Sequence, residues 1–235
     1  MNISIMNKNI TEQLRNLPLD ALKKQIILTA QALLTKKLTS GSWGNISARI
    51  TPDLIIITPS GKPYETLQES DLILVNSDGN IMAGNSMPSS ELPLHLAIYK
   101  ARPTCNAVIH THSIYASVCA ALHKPIPPLL EDTAQVAGGS INVARYALAG
   151  SQELADNTTA ALGNADAVLL ANHGAVCCAR SLTESLFTAE IVEKSAQVFC
   201  AATTIGEVVP LPEADIKTLR TFYLEHYSKR QKGEE

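Results

Sequence analysis

The sequence predicts an α/β fold in one domain that spans residues 1–235. Strand-like and helix-like apolar patterns alternate along the chain, which is typical of a sheet covered by helices. No internal repeat, low-complexity tract or Pro/Gly-rich linker divides the 235 residues, a length within the range of one large domain. An Asp78-Gly79 step between two short apolar runs predicts a β-hairpin, so the sheet is not expected to be purely parallel.

The first half of the chain combines a long helix with short strands. Apolar residues recur at three- and four-residue intervals from Thr11 to Leu38, which predicts a helix that Pro18 interrupts or starts. A loop over Gly41–Asn45 follows. β-Branched and apolar runs then predict strands at Ile46–Ile50, Leu54–Thr58, Leu72–Val75 and Ile81–Ala83.

The second half alternates helices with buried strands. Ser89-Ser90-Glu91 predicts the start of a helix that runs to about Ala101, with a serine cap and Glu91 in the first turn. Three further helices are predicted at Ser113–Leu122, Thr183–Thr204 and about Glu213–Tyr227. Strands are predicted at Ala107–His112, at Ala165–Asn172 and, after His173-Gly174, through Val176.

Composition indicates a globular protein and argues against two classes of partner. Apolar residues make up 46% of the chain and charged residues 17%, a balance typical of a packed core. The formal net charge is −3, and a nucleic-acid partner would normally require a basic face. Apolar stretches such as Ala165–Ala171 are far shorter than the ~20 residues of a membrane helix, so no membrane partner is expected.

Cysteine usage and the first residues predict a cytoplasmic protein. Met1–Ile10 has no basic stretch followed by an apolar run, so no signal peptide is expected. The five cysteines form no CxxC pair, which favours free thiols in a reducing compartment over a disulfide framework.

Three histidines at strand ends predict a metal site. Strand periodicity sends His110 and His112 to one face with Cβ atoms roughly 7 Å apart, close enough for both rings to reach one ion. Alone, this pair also fits two ordinary histidines at a strand end. His173 follows the apolar strand Ala167–Ala171 and precedes Gly174, at a sheet edge where α/β folds place their chemistry. Together the three histidines favour a His₃ site.

Glu91 is the predicted fourth group of this site. A carboxylate at a helix N-terminus stays ionised, so it can bind a metal and act as a base once substrate displaces it. The alternative is a simple acid at a helix start. His95 lies four residues on and could form a rival chelating pair with Glu91, although its apolar neighbours favour packing or contact with a ligand.

Three turns of small residues are candidates for binding an anion through backbone N–H groups and hydroxyls. They are Gly41–Asn45, Thr58–Gly61 and Ser89-Ser90. Each is a weak signal alone, because Ser/Gly turns are common. No GxxxxGK[ST] or GxGxxG segment is present, which argues against a nucleotide.

The order of these motifs resembles the class II aldolase/adducin family over roughly residues 20–227. The resemblance implies a three-layer fold, with a mostly antiparallel sheet between helices on both faces. It also implies a homotetramer with active sites at subunit interfaces. The matching segments are Gly41-Ser-Trp-Gly-Asn-Ile-Ser47, Ile57-Thr-Pro-Ser-Gly61, Ser89-Ser-Glu91, His110-Thr-His112 and Asn172-His-Gly174.

The resemblance also implies a reaction and the residues that perform it. One Zn²⁺, or another divalent ion such as Mn²⁺ or Co²⁺, would be held by His110, His112, His173 and Glu91. The reaction would cleave a small ketose phosphate to dihydroxyacetone phosphate and an aldehyde through a metal-stabilised enediolate. Glu91 would be the acid/base, and Tyr227, or alternatively Tyr223, would reach the neighbouring subunit's site. The implied phosphate contacts are Gly44, Asn45, Ser60, Gly61, Ser89 and Ser90.

One departure from the family pattern leaves the substrate open. Glu131-Asp132 stands where aldolases of the family have a tyrosine, in a region that contacts the aldehyde half of the substrate. The alternatives are a decarboxylase of 3-oxo-tetronate 4-phosphates, a pentulose-phosphate 4-epimerase, an adducin-like structural protein and a zinc hydrolase. Epimerases of the family usually carry Asp at the position of Glu91, which favours the aldolase over them.

Overall fold

An eight-stranded sheet forms the centre of the fold in this computed structural model, which describes residues 19–229. Every neighbouring pair of strands is antiparallel except β6 and β7, which are parallel. The strand order is β4-β3-β2-β1-β5-β8-β7-β6. The strands are β1 Asn45–Thr51, β2 Leu54–Ile57, β3 Ile73–Asn76, β4 Ile81–Ala83, β5 Ala107–Thr111, β6 Val143–Ala144, β7 Ala167–Leu170 and β8 Gly174–Ala179.

Helices cover both faces of this sheet. They are α1 Leu19–Thr35, α2 Leu92–Ala101, α3 Ile114–Ala121, α4 Glu131–Ala137, α5 Gln152–Leu162, α6 Leu182–Ile205 and α7 Glu213–Phe222. A π-helical turn, Tyr223–Tyr227, continues α7. None of the helices within residues 19–229 is long and apolar enough to cross a membrane.

Alternation along the strands produces the two apolar layers. In β5, Ile109 packs with α1, α3 and α6 on one face, whereas Val108 packs with α2 and α5 on the other. In β8, Cys177 and Cys178 divide between the same two faces. The predicted three-layer arrangement with a mostly antiparallel sheet is therefore confirmed.

The predicted hairpin is also confirmed. Strands β3 and β4 are antiparallel, and Gly79 donates its backbone N–H to the Asn76 carbonyl at 2.9 Å. The Asn76 side-chain oxygen accepts from the backbone N–H groups of Asp78 and Asn80 at 3.2 and 2.8 Å. Gly79 has a φ of +86°, a left-handed conformation that glycine adopts without strain.

The structure corrects the start of α2. Glu91 is the N-cap residue rather than a member of the first turn, and the helix begins at Leu92. Residues 89–91 form a turn instead, which the Leu92 backbone N–H closes by donating to the Ser89 carbonyl at 3.0 Å. The Ser89 backbone N–H donates to the Thr58 carbonyl at 3.1 Å. The Ser89 hydroxyl accepts from the Glu91 backbone N–H at 3.2 Å, so the predicted serine cap acts within this turn.

Two helices, α4 and α5, were not predicted from the sequence. The predicted helix over Thr11–Leu38 is observed as α1, and its segment 11–18 lies outside the described residues. A single domain over 1–235 stays a prediction for the same reason, since residues 230–235 also lie outside them.

Candidate metal centre

The three predicted histidines meet at the ends of interior strands of the sheet, where β5 ends and β7 connects to β8. One ring nitrogen from each of His110, His112 and His173 lies within 4.8 Å of the other two. The ring centroids form a nearly equilateral triangle with sides of 4.7, 4.7 and 4.9 Å. The Nε2 atoms of His110 and His112 are 2.9 Å apart, so the two rings point at one position.

Local backbone geometry explains this convergence. His110 and His112 share one face near the end of β5, as the strand period of two requires. Strand β8 pairs with β5, and the tight connection from β7 to β8 places His173 beside the end of β5. Asn172 in this connection has a φ of +57°, a left-handed conformation that asparagine tolerates better than most residues.

The protonation states of the rings suit a cation. His110 Nδ1 lies 3.0 Å from the Ala175 carbonyl oxygen, to which it donates, so Nε2 is the ring nitrogen that faces His112 and Glu91. Burial lowers the pKa of His112 to about 3, and burial with the neighbouring His110 lowers the pKa of His173. Both rings are therefore neutral at pH 7 and available as ligands.

Glu91 lies beside the three histidines, and its predicted role as the fourth metal ligand stays a proposal. Its Oε2 lies 3.2 Å from His110 Nε2, and its Oε1 lies 3.7 Å from His173 Nε2. Burial raises the pKa of Glu91, but His110, His173 and a hydrogen bond from Asn45 together lower it below its usual value. The carboxylate is therefore ionised at neutral pH.

This donor set fits a divalent metal ion. Glu91 Oε1 is buried and accepts no hydrogen bond from any described residue, a costly arrangement for a carboxylate oxygen. A cation between Oε1 and the three converging imidazoles would satisfy that oxygen. Imidazole nitrogens and carboxylate oxygens are both ligands that zinc takes in proteins.

His95 does not form the rival chelating pair with Glu91. Its ring is fully buried and lies against Asn45 and Ser47, outside the group of three histidines. The ring contacts Asn45 rather than a proposed metal ligand, so its expected role in packing or in contacting a ligand stays a prediction. Burial lowers the pKa of His95 to about 3, so the ring is neutral.

The predicted anion-binding turns lie beside one another. Ser60 donates its backbone N–H to the Met87 carbonyl at 3.0 Å, which joins the Thr58–Gly61 turn to the segment before α2. Ser60, Gly61 and Ser90 are exposed, whereas Ser89 is buried. Gly44 packs against the His110 carbonyl, which a Cβ at residue 44 would approach to 2.5 Å.

Asn45 has a contact that the sequence analysis did not anticipate. Its side-chain Nδ2 donates to Glu91 Oε2 at 2.8 Å, so the amide is hydrogen-bonded to the carboxylate. Its predicted role in binding phosphate stays a proposal.

The remaining predicted residues are two tyrosines near the C-terminus and the Glu131-Asp132 pair, and they differ in how exposed their side chains are. Tyr227 is 44% exposed on the turn after α7, whereas Tyr223 is buried. Glu131 is exposed at the start of α4, and Asp132 pairs with Lys194.

Sequence reasoning missed two sets of neighbours of the site. Trp43 is exposed, and its ring centroid lies 5.6 Å from that of His112. Ser47, His95 and Tyr99 form a buried hydrogen-bonded cluster beside Glu91. The spacing held a signal, because Asn45 and Ser47 share a strand face, and His95 and Tyr99 share a helix face.

Comparison with known proteins agrees with this geometry. The family model of the Class II Aldolase and Adducin N-terminal domain matches residues 24–200 of this sequence. L-fuculose phosphate aldolase of Escherichia coli (strain K12) is 37% identical over 190 residues, which are 81% of this chain and 87% of that protein. The 5-deoxy-D-ribulose 1-phosphate aldolase of Bacillus thuringiensis serovar kurstaki is 35% identical over 198 residues, which are 84% and 92% of the two chains.

Solved structures show the same relationship. An L-fuculose 1-phosphate aldolase matches with a TM-score of 0.84 and 36% identity, covering 87% of this chain and 96% of its own. YgbL from Klebsiella pneumoniae, described as an aldolase, epimerase or decarboxylase, matches with a TM-score of 0.77 and 28% identity, covering 86% and 99%.

These matches and the histidine cluster define a metal-dependent enzyme of the lyase class, because its relatives are named aldolases. More specifically, the chain belongs to the class II aldolase and adducin family. The resemblance drawn from the five sequence motifs is thereby confirmed.

Gly174 is expected to be necessary for the geometry of the cluster. A Cβ at this position would overlap the Thr111 carbonyl oxygen and lie 3.3 Å from His110 Cε1. We expect Gly174→Ala to lower the free energy of unfolding by about 1–3 kcal/mol and to weaken metal binding, since β5 and β8 must separate. Gly206→Ala is the control, because its Cβ would meet nothing within 4 Å. Urea titration and metal analysis measure both effects, and equal stability of the two variants would contradict the expectation.

The buried His95 predicts how stability changes with pH. Its pKa is about 3 in the folded protein, below the usual 6.5, so the unfolded chain binds the extra proton between these values. The stability of metal-free protein should therefore fall as pH falls from about 6.5 towards 3, with His95 contributing up to about 1.4 kcal/mol per pH unit. His95→Gln should flatten this dependence in urea titrations at about pH 5 and about pH 7.5. An unchanged slope would show that the ring does not titrate as described.

Proposed function

We propose that this enzyme is a zinc-dependent aldolase that cleaves a small ketose phosphate to dihydroxyacetone phosphate and an aldehyde. The observation that carries the proposal is the convergence of three imidazoles beside the Glu91 carboxylate, whose buried Oε1 accepts no hydrogen bond from the described residues. The names of the relatives, aldolases of fuculose and deoxyribulose phosphates, support the substrate class.

The residues of the site divide the chemistry between them. His110, His112 and His173 would hold the ion, and a divalent ion supplies Lewis-acid stabilisation of negative charge on substrate oxygens. Glu91, ionised and buried beside the ion, would return a proton to the substrate carbon after the C3–C4 bond breaks. In the reverse direction it would remove that proton, a contribution of typically ~10²–10⁴-fold.

The adjoining turns would bind the substrate phosphate within the same proposal. The exposed Ser60, Gly61 and Ser90 lie on two turns joined by backbone hydrogen bonds, and Ser89, Gly44 and Asn45 border Glu91 or His110. Hydroxyls and free backbone N–H groups at such turns suit a phosphate.

We also propose a cytoplasmic homotetramer with sites at subunit interfaces. The support is an exposed apolar stripe along α3 and its C-cap residue, which begins two residues after His112 and consists of Ile114, Val118 and Leu122. These residues recur every four positions along one helix face, an arrangement that favours contact with another protein surface. The free cysteines support the reducing compartment.

Tyr227 would then act across an interface. We expect Tyr227→Phe to lower kcat by at least about tenfold with little change in KM, because the lost hydroxyl would help to transfer a proton. Tyr223→Phe is the control, since that side chain is buried against its own subunit. Steady-state cleavage kinetics compare the two variants, and a larger loss in Tyr223→Phe would reassign the role.

A decarboxylase is the second candidate, because YgbL, named for three activities, has the same fold. The test incubates zinc-loaded protein with dihydroxyacetone phosphate and a panel of short aldehydes. The aldolase predicts a condensation product. Loss of CO₂ from a 3-oxo-tetronate phosphate without condensation would favour the decarboxylase, and C4 inversion of a pentulose phosphate would favour the epimerase. Inactivity in all three assays would leave the adducin-like structural protein and the zinc hydrolase.

A further inference from the structure

A buried chain of hydrogen bonds ends on the Glu91 carboxylate. Asn45 Nδ2 lies 2.8 Å from Glu91 Oε2, and Asn45 Oδ1 lies 2.5 Å from His95 Nε2. His95 Nδ1 lies 2.6 Å from Ser47 Oγ, which lies 2.8 Å from the Tyr99 hydroxyl. None of the five residues is more than 5% exposed. Water therefore has little access to this chain of contacts.

The ionised carboxylate fixes the direction of every bond in the chain. Because the carboxylate only accepts, Asn45 must turn its NH₂ group towards Glu91 and its carbonyl oxygen towards His95. His95 must then carry its proton on Nε2, which leaves Nδ1 to accept from the Ser47 hydroxyl. Ser47 in turn accepts from the Tyr99 hydroxyl.

A packing role alone does not account for His95. Its neighbours on α2, Leu94 and Ile98, pack into the apolar layer, and an apolar residue is the usual occupant of a fully buried position. His95 instead uses both ring nitrogens in hydrogen bonds with β1. Without its N–H group, the Asn45 oxygen would be buried without a donor, and the amide would be free to rotate.

We propose that His95 is a positioning residue that fixes the orientation of the Asn45 amide and, through it, the Glu91 carboxylate. A rotated amide would present its oxygen to Oε2 and repel it, which would move both oxygens of Glu91. The effect on metal affinity follows from the site geometry, whereas the effect on turnover rests on the proposed function.

Two substitutions of His95 separate positioning from packing. His95→Gln keeps an N–H donor for Asn45 and an oxygen acceptor for Ser47, whereas His95→Leu keeps only bulk. Thr158→Val is the stability control, because it removes the fully buried bond from Thr158 Oγ1 to the Leu154 carbonyl on the neighbouring helix α5. Zinc affinity is measured by chelator competition. Turnover is measured as exchange of a dihydroxyacetone phosphate proton with D₂O, alongside melting temperature.

We expect His95→Leu to weaken zinc binding by about 10–100-fold and to lower kcat for exchange by a similar factor, with KM within about twofold. His95→Gln should recover both to within about threefold, and Thr158→Val should leave both unchanged. Wild-type affinity in His95→Leu, or equal losses in His95→Gln and His95→Leu, would overturn the inference. If His95→Leu does not fold, loss of zinc affinity in a folded His95→Gln would overturn it instead. Wild-type protein without exchange activity would count against the proposed function alone, because the zinc affinities test the positioning role independently.

Discussion

Glu91→Gln is expected to abolish most of the activity while it preserves the fold. The amide has the shape of the carboxylate, but it carries no charge and cannot take a proton from substrate carbon. If Glu91 is the acid/base, kcat should fall by about 10²–10⁴-fold even when zinc saturates the site. The measurement is exchange of a dihydroxyacetone phosphate proton with D₂O, which isolates the proton transfer from the choice of aldehyde.

Glu65→Gln provides the matched control for this variant. Glu65 is exposed on a 3₁₀ turn, so its substitution removes the same charge away from the histidine cluster. It should exchange protons at the wild-type rate. Activity above about one tenth of wild type in zinc-loaded Glu91→Gln would assign the proton transfer to another group.

His110→Ala is expected to remove the metal and with it the activity. His110 would be the central ligand of the proposed ion, since its Nε2 lies close to both His112 and Glu91. Loss of Lewis-acid stabilisation, several kcal/mol, corresponds to a fall of at least about 10³-fold in rate. Zinc should no longer protect the variant from unfolding, whereas at 1,000-fold excess over Kd it should stabilise wild type by about 4 kcal/mol.

Wild-type protein stripped by a chelator is the control for this substitution. It should lose activity as His110→Ala does, but it should recover when zinc is added back. Elemental analysis and thermal unfolding with and without zinc follow both proteins. Stoichiometric zinc in His110→Ala would show that the ion is held elsewhere.

Sequence patterns predicted those parts of the site that depend on local periodicity. The period of two in a strand places His110 and His112 together, and the apolar run before His173 marks a sheet edge. The pairing of β5 with β8, which brings His173 to them, depends on contacts between distant segments. The position of each histidine at a strand end favoured a shared site, but the sequence did not predict which strands pair.

The missed elements have physical explanations as well. Helix α5 is mostly polar, with Leu154, Ala155 and Leu162 as its buried apolar residues, so the segment lacks the apolar content that marked the other helices. Helix α4 is only seven residues long, too short for a clear period. The bond between Asn45 and Glu91 joins β1 to α2 and could not be read from either segment alone.

Anomalous diffraction from crystals of the zinc-loaded protein provides the decisive measurement. A single peak at the zinc edge should lie about 2.0–2.1 Å from one nitrogen each of His110, His112 and His173, with a Glu91 oxygen at about 2.0–2.2 Å in the absence of substrate. A map with no peak there, or with the three rings turned away from a common position, would contradict the metal-dependent chemistry proposed for this enzyme.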